Sequence, residues 1–280
     1  MGIFKDLLSR HLLGRPRPTP PPALPAHRHS IGEELPYPCC CAAAAAASGG
    51  KKNQQRVLPL THPEFIRVQR MAGDLIAAAC HDANYGRRRL SPTIRRPFRG
   101  IKWTVGVVDA RYVNGFSTET GSIYVSTGLL GHLRHDAAVA AVLRHEVGHV
   151  IARHIGKLKR NWFLSGFLAY FAGELLDAPP GDKATREQGC GIRSLFMRPC
   201  YYSQEYEADR LGLLLLAAAG YDPRAGPWVY RKLGEIGELA PDDLRSMHPA
   251  SAKRVERLSQ GMVMDEATEL FSEATRHGNS

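Results

Sequence analysis

Apolar residues recur along this chain with two different periods, and the periods separate its elements. In "HPEFIRVQRMAGDLIAAACHDA", Phe65, Val68, Ile76 and Ala79 fall near helical spacing, so this stretch reads as a helix. "IKWTVGVVDA" alternates Trp103, Val105 and Val107, the period of a strand. "SIYVSTGLL" gives a second strand that passes into a helix near Thr127-Gly128. The twelve residues between the strands, "ARYVNGFSTETG", carry Asn114-Gly115 and read as turns. "DAAVAAVLRHEVGHVIARHIGKL" is a long helix with Asp136 as its N-cap. Residues 162–176 and 191–198 also read as helical. "SQEYEADRLGLLLLAAAG" is a helix capped by Ser203 and ended by Gly220, and "PRAGPWVYRKLGEI" and "HPASAKRVERLSQ" are two more. No segment repeats at a fixed period. The expected fold is mainly α with a small β-sheet (α+β), in one domain over residues 61–275.

Residues 1–60 break these patterns. "IFKDLLSRHLL" sets Ile3, Phe4, Leu7, Leu8 and Leu12 on one helical face. "RPRPTPPPALP" forbids regular structure, and "CCCAAAAAASGG" and "KKNQQR" follow. This composition is that of a leader or linker: an organelle transit peptide or a disordered terminus. Gly2 would invite myristoylation, but Asp6 stands where Ser or Thr is wanted.

Charge sharpens the division. The net charge is +10; residues 1–100 carry 16 Lys/Arg against 6 Asp/Glu, whereas residues 101–280 carry 21 of each. The basic part includes the loop "YGRRRLSPTIRRPFRG". The six cysteines, Cys39, Cys40, Cys41, Cys80, Cys190 and Cys200, contain no C-x-x-C pair and read as reduced thiols rather than a disulfide framework or a zinc site. No segment reaches the roughly 20 apolar residues of a membrane span. The nearest, "WFLSGFLAYFAGELL" at 162–176, is short, carries Glu174 and reads as a core helix with an interfacial alternative.

Against this background, "AVLRHEVGHVIARH" is anomalous. It sets His145, Glu146 and His149 in an apolar helix, where each polar group is costly to bury without a partner. Four residues apart on a helix, the two imidazoles project from one face and can bind one metal ion. Glu146 can then take a proton from a water molecule that the metal activates. This is the H-E-x-x-H arrangement of zinc hydrolases. A third protein ligand is needed. His154 lies nine residues after His145, roughly half a turn away around a continuous helix at about 100° per residue, so it is not the third ligand. "SQEYEADRLG" supplies a better one. Glu205 and Asp209 share a helical face, so that Glu205 can ligate the metal and Asp209 can accept the free N–H of a ligand histidine. Glu207 falls on roughly the opposite face.

Three segments together, "DAAVAAVLRHEVGHVIARH", "YYSQEYEADRLGLLLLAAAGYDP" and "SMHPASAKRVERL", resemble the membrane-associated zinc metallopeptidases of the HtpX and CAAX-prenyl-protease type. Within that group the chain is most similar to the Oma-type mitochondrial inner-membrane metalloendopeptidases of plants, over about residues 56–270. The resemblance implies a gluzincin domain with one zinc ion on His145, His149 and Glu205, Glu146 as general base and Asp209 behind the ligands. It also makes His248, in "HPASAKR", a candidate for contact with the substrate or its oxyanion. It implies polypeptide substrates, membrane proteins among them, and a mitochondrial location at the inner membrane.

Two departures qualify these expectations. The family's Asn-Ala-Phe turn and Pro-Gly-Gly stretch are replaced by "VNGFSTETGSIYVSTGLL", which keeps Asn114 and Phe116 but not the rest. The strand Ser122–Ser126 is nonetheless expected to pair with extended substrate at a sheet edge, through Ser122, Ile123, Tyr124 and Val125, with Asn114 nearby. The resemblance implies a hydrophobic anchor upstream of the catalytic domain, and residues 1–60 show none. The expectation is therefore a peripheral protein, a soluble one or a shortened gene product, with segment 162–176 and the basic N-terminal part as surfaces for an anionic membrane. The competing functions are a catalytically degenerate protease homologue and a basic binding module for a membrane surface or nucleic acid. No nucleic-acid fold signature accompanies the basic loop, and no nucleic acid is expected.

Overall fold

A helix that is apolar on every side belongs in the interior, and the fold is arranged around one such helix. The computed structural model describes residues 56–80, 101–161, 183–236 and 251–277. Its elements are α1 (Pro63–Cys80), β1 (Thr104–Val108), β2 (Gly115–Ser117), β3 (Ser122–Ser126), α2 (Thr127–His132), α3 (Asp136–Ile151), α4 (Lys183–Ala218), α5 (Ala225–Ile236), α6 (Ser251–Ser259) and α7 (Gly261–His277). Residues 154–161 are again helical. The architecture is the expected α+β one. Every residue of α3 except Asp136 and His149 is buried. Around it pack α1, α4, α5 and the strands β2 and β3. The predicted helix face of α1 (Phe65, Val68, Ile76 and Ala79) lies in this core, as do Trp103, Val105 and Val107.

The sheet order is β1-β3-β2, with β1 parallel to β3 and β2 antiparallel to it. This corrects the expected free edge at Ser122–Ser126. That strand is central, its five residues are all buried, and its backbone is engaged on both sides. The edge is β2, which lies inside the segment that reads as turns. Ser126 N–H donates to the Asn114 carbonyl (3.0 Å) and Thr118 N–H to the Ser122 carbonyl (2.8 Å). Hydrogen-bonded and open pairs alternate in an antiparallel ladder. The N–H and C=O groups of Gly115 and Ser117 therefore face away from β3. Among the described residues no strand covers that side.

Other boundaries also move. Residues 56–58 run beside β1, with Leu58 N–H on the Val107 carbonyl at 2.8 Å and Asp109 N–H on the Arg56 carbonyl at 2.8 Å, so the folded region starts before Thr61. Asp136 is the first residue of α3 and His135 its N-cap. The Asp136 carboxylate instead binds Arg67 of α1 at 2.8 Å and also Arg70. Ser203 lies within α4, which runs through Pro199 without ending. Gly220 does end it: with φ at +80°, it donates to the Ala217 carbonyl while Tyr221 donates to that of Leu216, the paired bonds of a Schellman motif. The leader up to residue 55, the basic loop at 85–100, the segment 162–176 and His248 lie outside the described residues. Among the described residues no helix is long and apolar enough to cross a membrane.

Two glycines let α3 and α4 approach closely. A Cβ on Gly148 would stand 2.7 Å from the Ala208 carbonyl oxygen, and one on Gly212 would stand 2.8 Å from that of Arg144. The helices therefore run antiparallel with backbone against backbone, which brings the acidic residues of α4 beneath the histidines of α3. Gly148→Val is expected to lower stability by about 1–3 kcal/mol through overpacking and to weaken divalent-metal uptake by displacing Glu205. Urea unfolding and a metal titration check this; an unchanged midpoint with unchanged uptake refutes the close-packing account.

Candidate metal centre

His145 and His149 leave α3 one turn apart, and Glu205 rises from α4 between them. The Nε2 atoms of the two histidines are 2.9 Å apart. Glu205 Oε2 is 3.3 Å from His145 Nε2, and Glu205 Oε1 is 3.3 Å from His149 Nε2. One ligating atom from each of the three residues lies within 4.8 Å of the other two. Two ligand bonds of about 2.0–2.1 Å at a tetrahedral angle end about 3.3 Å apart. Two imidazole nitrogens and a carboxylate with those spacings fit a single small divalent cation. The sequence-predicted triad is thus brought together. His154 is not part of it.

Behind the triad, Asp209 Oδ1 lies 3.0 Å from His145 Nδ1, as the spacing with Glu205 predicts. This contact turns the Nε2 of His145 toward Glu205. Asp209 is itself buried and held by residues that the sequence reading did not single out. Arg254 of α6 donates through Nε to Asp209 Oδ2 and through Nη2 to Oδ1, both at 2.8 Å, and its Nη1 is 3.3 Å from Glu205 Oε2. Tyr230 of α5 donates to Asp209 Oδ1 at 2.5 Å, and its ring lies 3.8 Å beneath the Arg254 guanidinium. Arg144 is fully buried and donates to the Asp209 backbone carbonyl at 2.7 Å.

This network sets the charge states. Burial opposes ionisation of Asp209, but Arg254 and then His145 outweigh it and hold the carboxyl far below the usual carboxylate range. Burial and Arg254 disfavour a charged His145, yet Glu205 and Asp209 raise its pKa above the ordinary histidine value. Burial pushes the Tyr230 hydroxyl well above its normal range, so it remains a donor.

Glu146 is buried beside the first histidine and points the other way, toward the sheet. Ser117 of β2 donates to its Oε2 at 2.8 Å. The base candidate is therefore anchored to the edge strand, with the two outward-facing backbone positions of β2 alongside. Ser122, Ile123, Tyr124 and Val125 sit behind β2 and support it; Asn114 holds the end of β3 through its backbone. Burial, with His149 adding to it, pushes the His154 imidazole down to about 3.

Two of the residues not singled out from the sequence, Arg254 and Tyr230, carry a weak signal there. Arg254 precedes Val255 and Leu258 on the apolar face of α6, where a guanidinium needs an acid. Tyr230 sits among the buried Val229 and Leu233. Ser117 had no signal, because its strand read as a turn.

Comparison with known proteins agrees with this geometry. The sequence profile of peptidase family M48 matches residues 86–261. The mitochondrial metalloendopeptidase OMA1 of Arabidopsis thaliana is 44% identical over 177 residues, which is 62% of this chain and 34% of that protein. The mitochondrial metalloendopeptidase OMA1 of Saccharomyces cerevisiae is 26% identical over 230 residues, 79% of this chain and 62% of that protein. The beta-barrel assembly-enhancing protease of Escherichia coli is 25% identical over 150 residues, 51% of this chain and 31% of that protein. The chain spans less than two thirds of the length of each of these relatives.

Proposed function

The chain belongs to peptidase family M48, and from that premise we propose that it is a zinc-dependent metalloendopeptidase whose catalytic domain is the region predicted at 61–275, with residues 56–60 added at its start. The observation that carries this reading is the convergence of His145, His149 and Glu205 with Glu146 placed next to them. Zinc suits two imidazoles and a carboxylate at tetrahedral spacing. When bound, it acts as a Lewis acid that polarises a peptide carbonyl and acidifies water.

The chain's own residues do the rest. His145, His149 and Glu205 hold the ion, and Asp209 fixes the tautomer of His145. Glu146 takes the proton from the attacking water and returns it to the leaving amine as the C–N bond breaks. Ser117 orients the Glu146 carboxylate for that exchange. An extended substrate segment pairs with the outward N–H and C=O groups of Gly115 and Ser117, adding a strand at the β2 edge. This sets its scissile bond beside Glu146. His248 is the proposed further contact to the oxyanion.

The names of the relatives support a mitochondrial location and polypeptide substrates. Membrane proteins as the substrate class, and peripheral attachment through the basic N-terminal hundred residues at the inner membrane, extend that reading. An intact base beside an intact triad speaks against a degenerate homologue.

Elemental analysis of the purified chain is expected to find one zinc per molecule. Hydrolysis of unfolded peptides should cease on chelation and return when zinc is restored. Hydrolysis that survives complete metal removal overturns the assignment.

A further inference from the structure

The second histidine of the triad has its own support, built from residues that no ligand role explains. His149 Nδ1 faces His154 Nδ1 at 2.9 Å, and His154 Nε2 faces Glu207 Oε2 at 3.1 Å. Lys157 Nζ closes the row at 3.2 Å from the same carboxylate oxygen. His154 is completely buried, whereas the Glu207 side chain is 46% exposed. On one continuous helix, His154 would point about 140° away from His149, five residues on at about 100° each. The chain breaks instead: α3 ends at Ile151, Arg153 adopts a left-handed φ of +53°, and helix resumes at residue 154. The break swings His154 back against His149. Glu207, on the face of α4 away from Glu205, reaches the same spot.

We propose, building on the metal-site reading above, that His154 and Glu207 form a positioning relay that holds His149 in its metal-binding tautomer. The contacts admit one proton between the two Nδ1 atoms, because two protons facing each other at 2.9 Å would clash. Glu207 requires a proton on His154 Nε2, since a carboxylate only accepts. If the shared proton sits on His149 Nδ1, the Nε2 lone pair of His149 is free for a cation. If it sits on His154, His149 carries its own proton on Nε2 and blocks the site. Only the first arrangement binds metal, and it leaves both imidazoles neutral with every ring nitrogen engaged. The two ligand histidines are thus held by different devices: His145 directly by Asp209, and His149 through an interposed imidazole. Both His154 and Glu207 are positioning residues, since neither touches the cation.

The test measures zinc affinity of the full chain by competition with a chromophoric chelator, with the visible spectrum of the cobalt-substituted protein as a second readout. His154→Leu removes the acceptor and is expected to weaken zinc binding about 10–100-fold and to alter the cobalt spectrum. His154→Asn keeps an acceptor near the position of Nδ1 and is expected to restore affinity to within a few-fold of the parent, with the parental spectrum. Urea unfolding of each metal-free variant separates affinity from folding. Parental affinity in His154→Leu overturns the relay. Equal loss in both variants, in step with lowered unfolding midpoints, also overturns it, because the role is then packing alone. A parent chain that takes up no zinc refutes the metal-site reading itself.

Discussion

Glu146→Gln is expected to lower kcat/KM for peptide hydrolysis by at least about 10²–10⁴-fold, the contribution of a general base, while zinc content and unfolding midpoint stay at parental values. Gln has the same shape as Glu, and its amide oxygen can still accept the bond from Ser117 Oγ, which spans 2.8 Å in the parent. Glu146 is outside the ligand triad, so its loss removes no donor from the cation. What Gln lacks is the capacity to take a proton. The effect should therefore fall on the chemical step and leave binding of a non-hydrolysable peptide unchanged. Steady-state kinetics with a fluorogenic peptide, elemental analysis and urea unfolding give the three readings. Parental turnover in this variant assigns the base elsewhere; loss of zinc shows instead that Glu146 helps to build the site.

The parts of the fold that were legible in the sequence are those where local pattern and tertiary environment agree. The helix α3 combines near-complete burial with a deliberate polar interruption, and both features are readable one residue at a time. Glu205 and Asp209 follow from their spacing on a helix. What was not legible depends on contacts distant in sequence. The strand β2 has three half-buried residues with turn chemistry on both sides, and only its pairing with β3 makes it a strand. That β3 is central follows from the β1-β3-β2 order, and no periodicity within "SIYVS" encodes the order of its neighbours. The break after Ile151 contains neither Gly nor Pro, so local pattern predicts a continuous helix. His154 is outside the triad as that predicts, but the left-handed Arg153 brings it against His149, which no local signal encodes. The helix α7 gives little local signal although Ala267 and Leu270 are buried. Its many charged positions resemble those of a solvated tail.

Arg254→Leu is expected to destabilise the metal-free protein by about 3–5 kcal/mol at neutral pH, the cost of leaving a buried partner charge uncompensated. Arg254 is only 2% exposed, and it is shared by Asp209, Glu205 and the Tyr230 ring. Its removal leaves the buried Asp209 carboxylate with only Tyr230 and His145 as side-chain partners, and with Arg144 held on its backbone carbonyl rather than on the carboxylate. Removing both charges should cost less than the two single changes suggest. The double variant Asp209→Asn with Arg254→Leu is expected to show a coupling of at least about 2 kcal/mol relative to additivity. The pH dependence has a definite sign. In the parent, burial raises the Asp209 pKa but Arg254 and His145 depress it further, so its folded value lies below the unfolded value of about 3.9. Its contribution is therefore complete above that pH and is lost as pH falls toward the folded value. Without Arg254 the largest depressing influence is gone and burial is opposed less. The stability difference between parent and variant should then be largest near neutrality and shrink below about pH 4. Urea unfolding of the parent, the two single variants and the double variant, each at pH 7 and near pH 3.5, measures every quantity. Additive losses, or a parent–variant difference that grows as pH falls, would show that Arg254 stabilises the fold by packing over Tyr230 rather than by compensating buried acid.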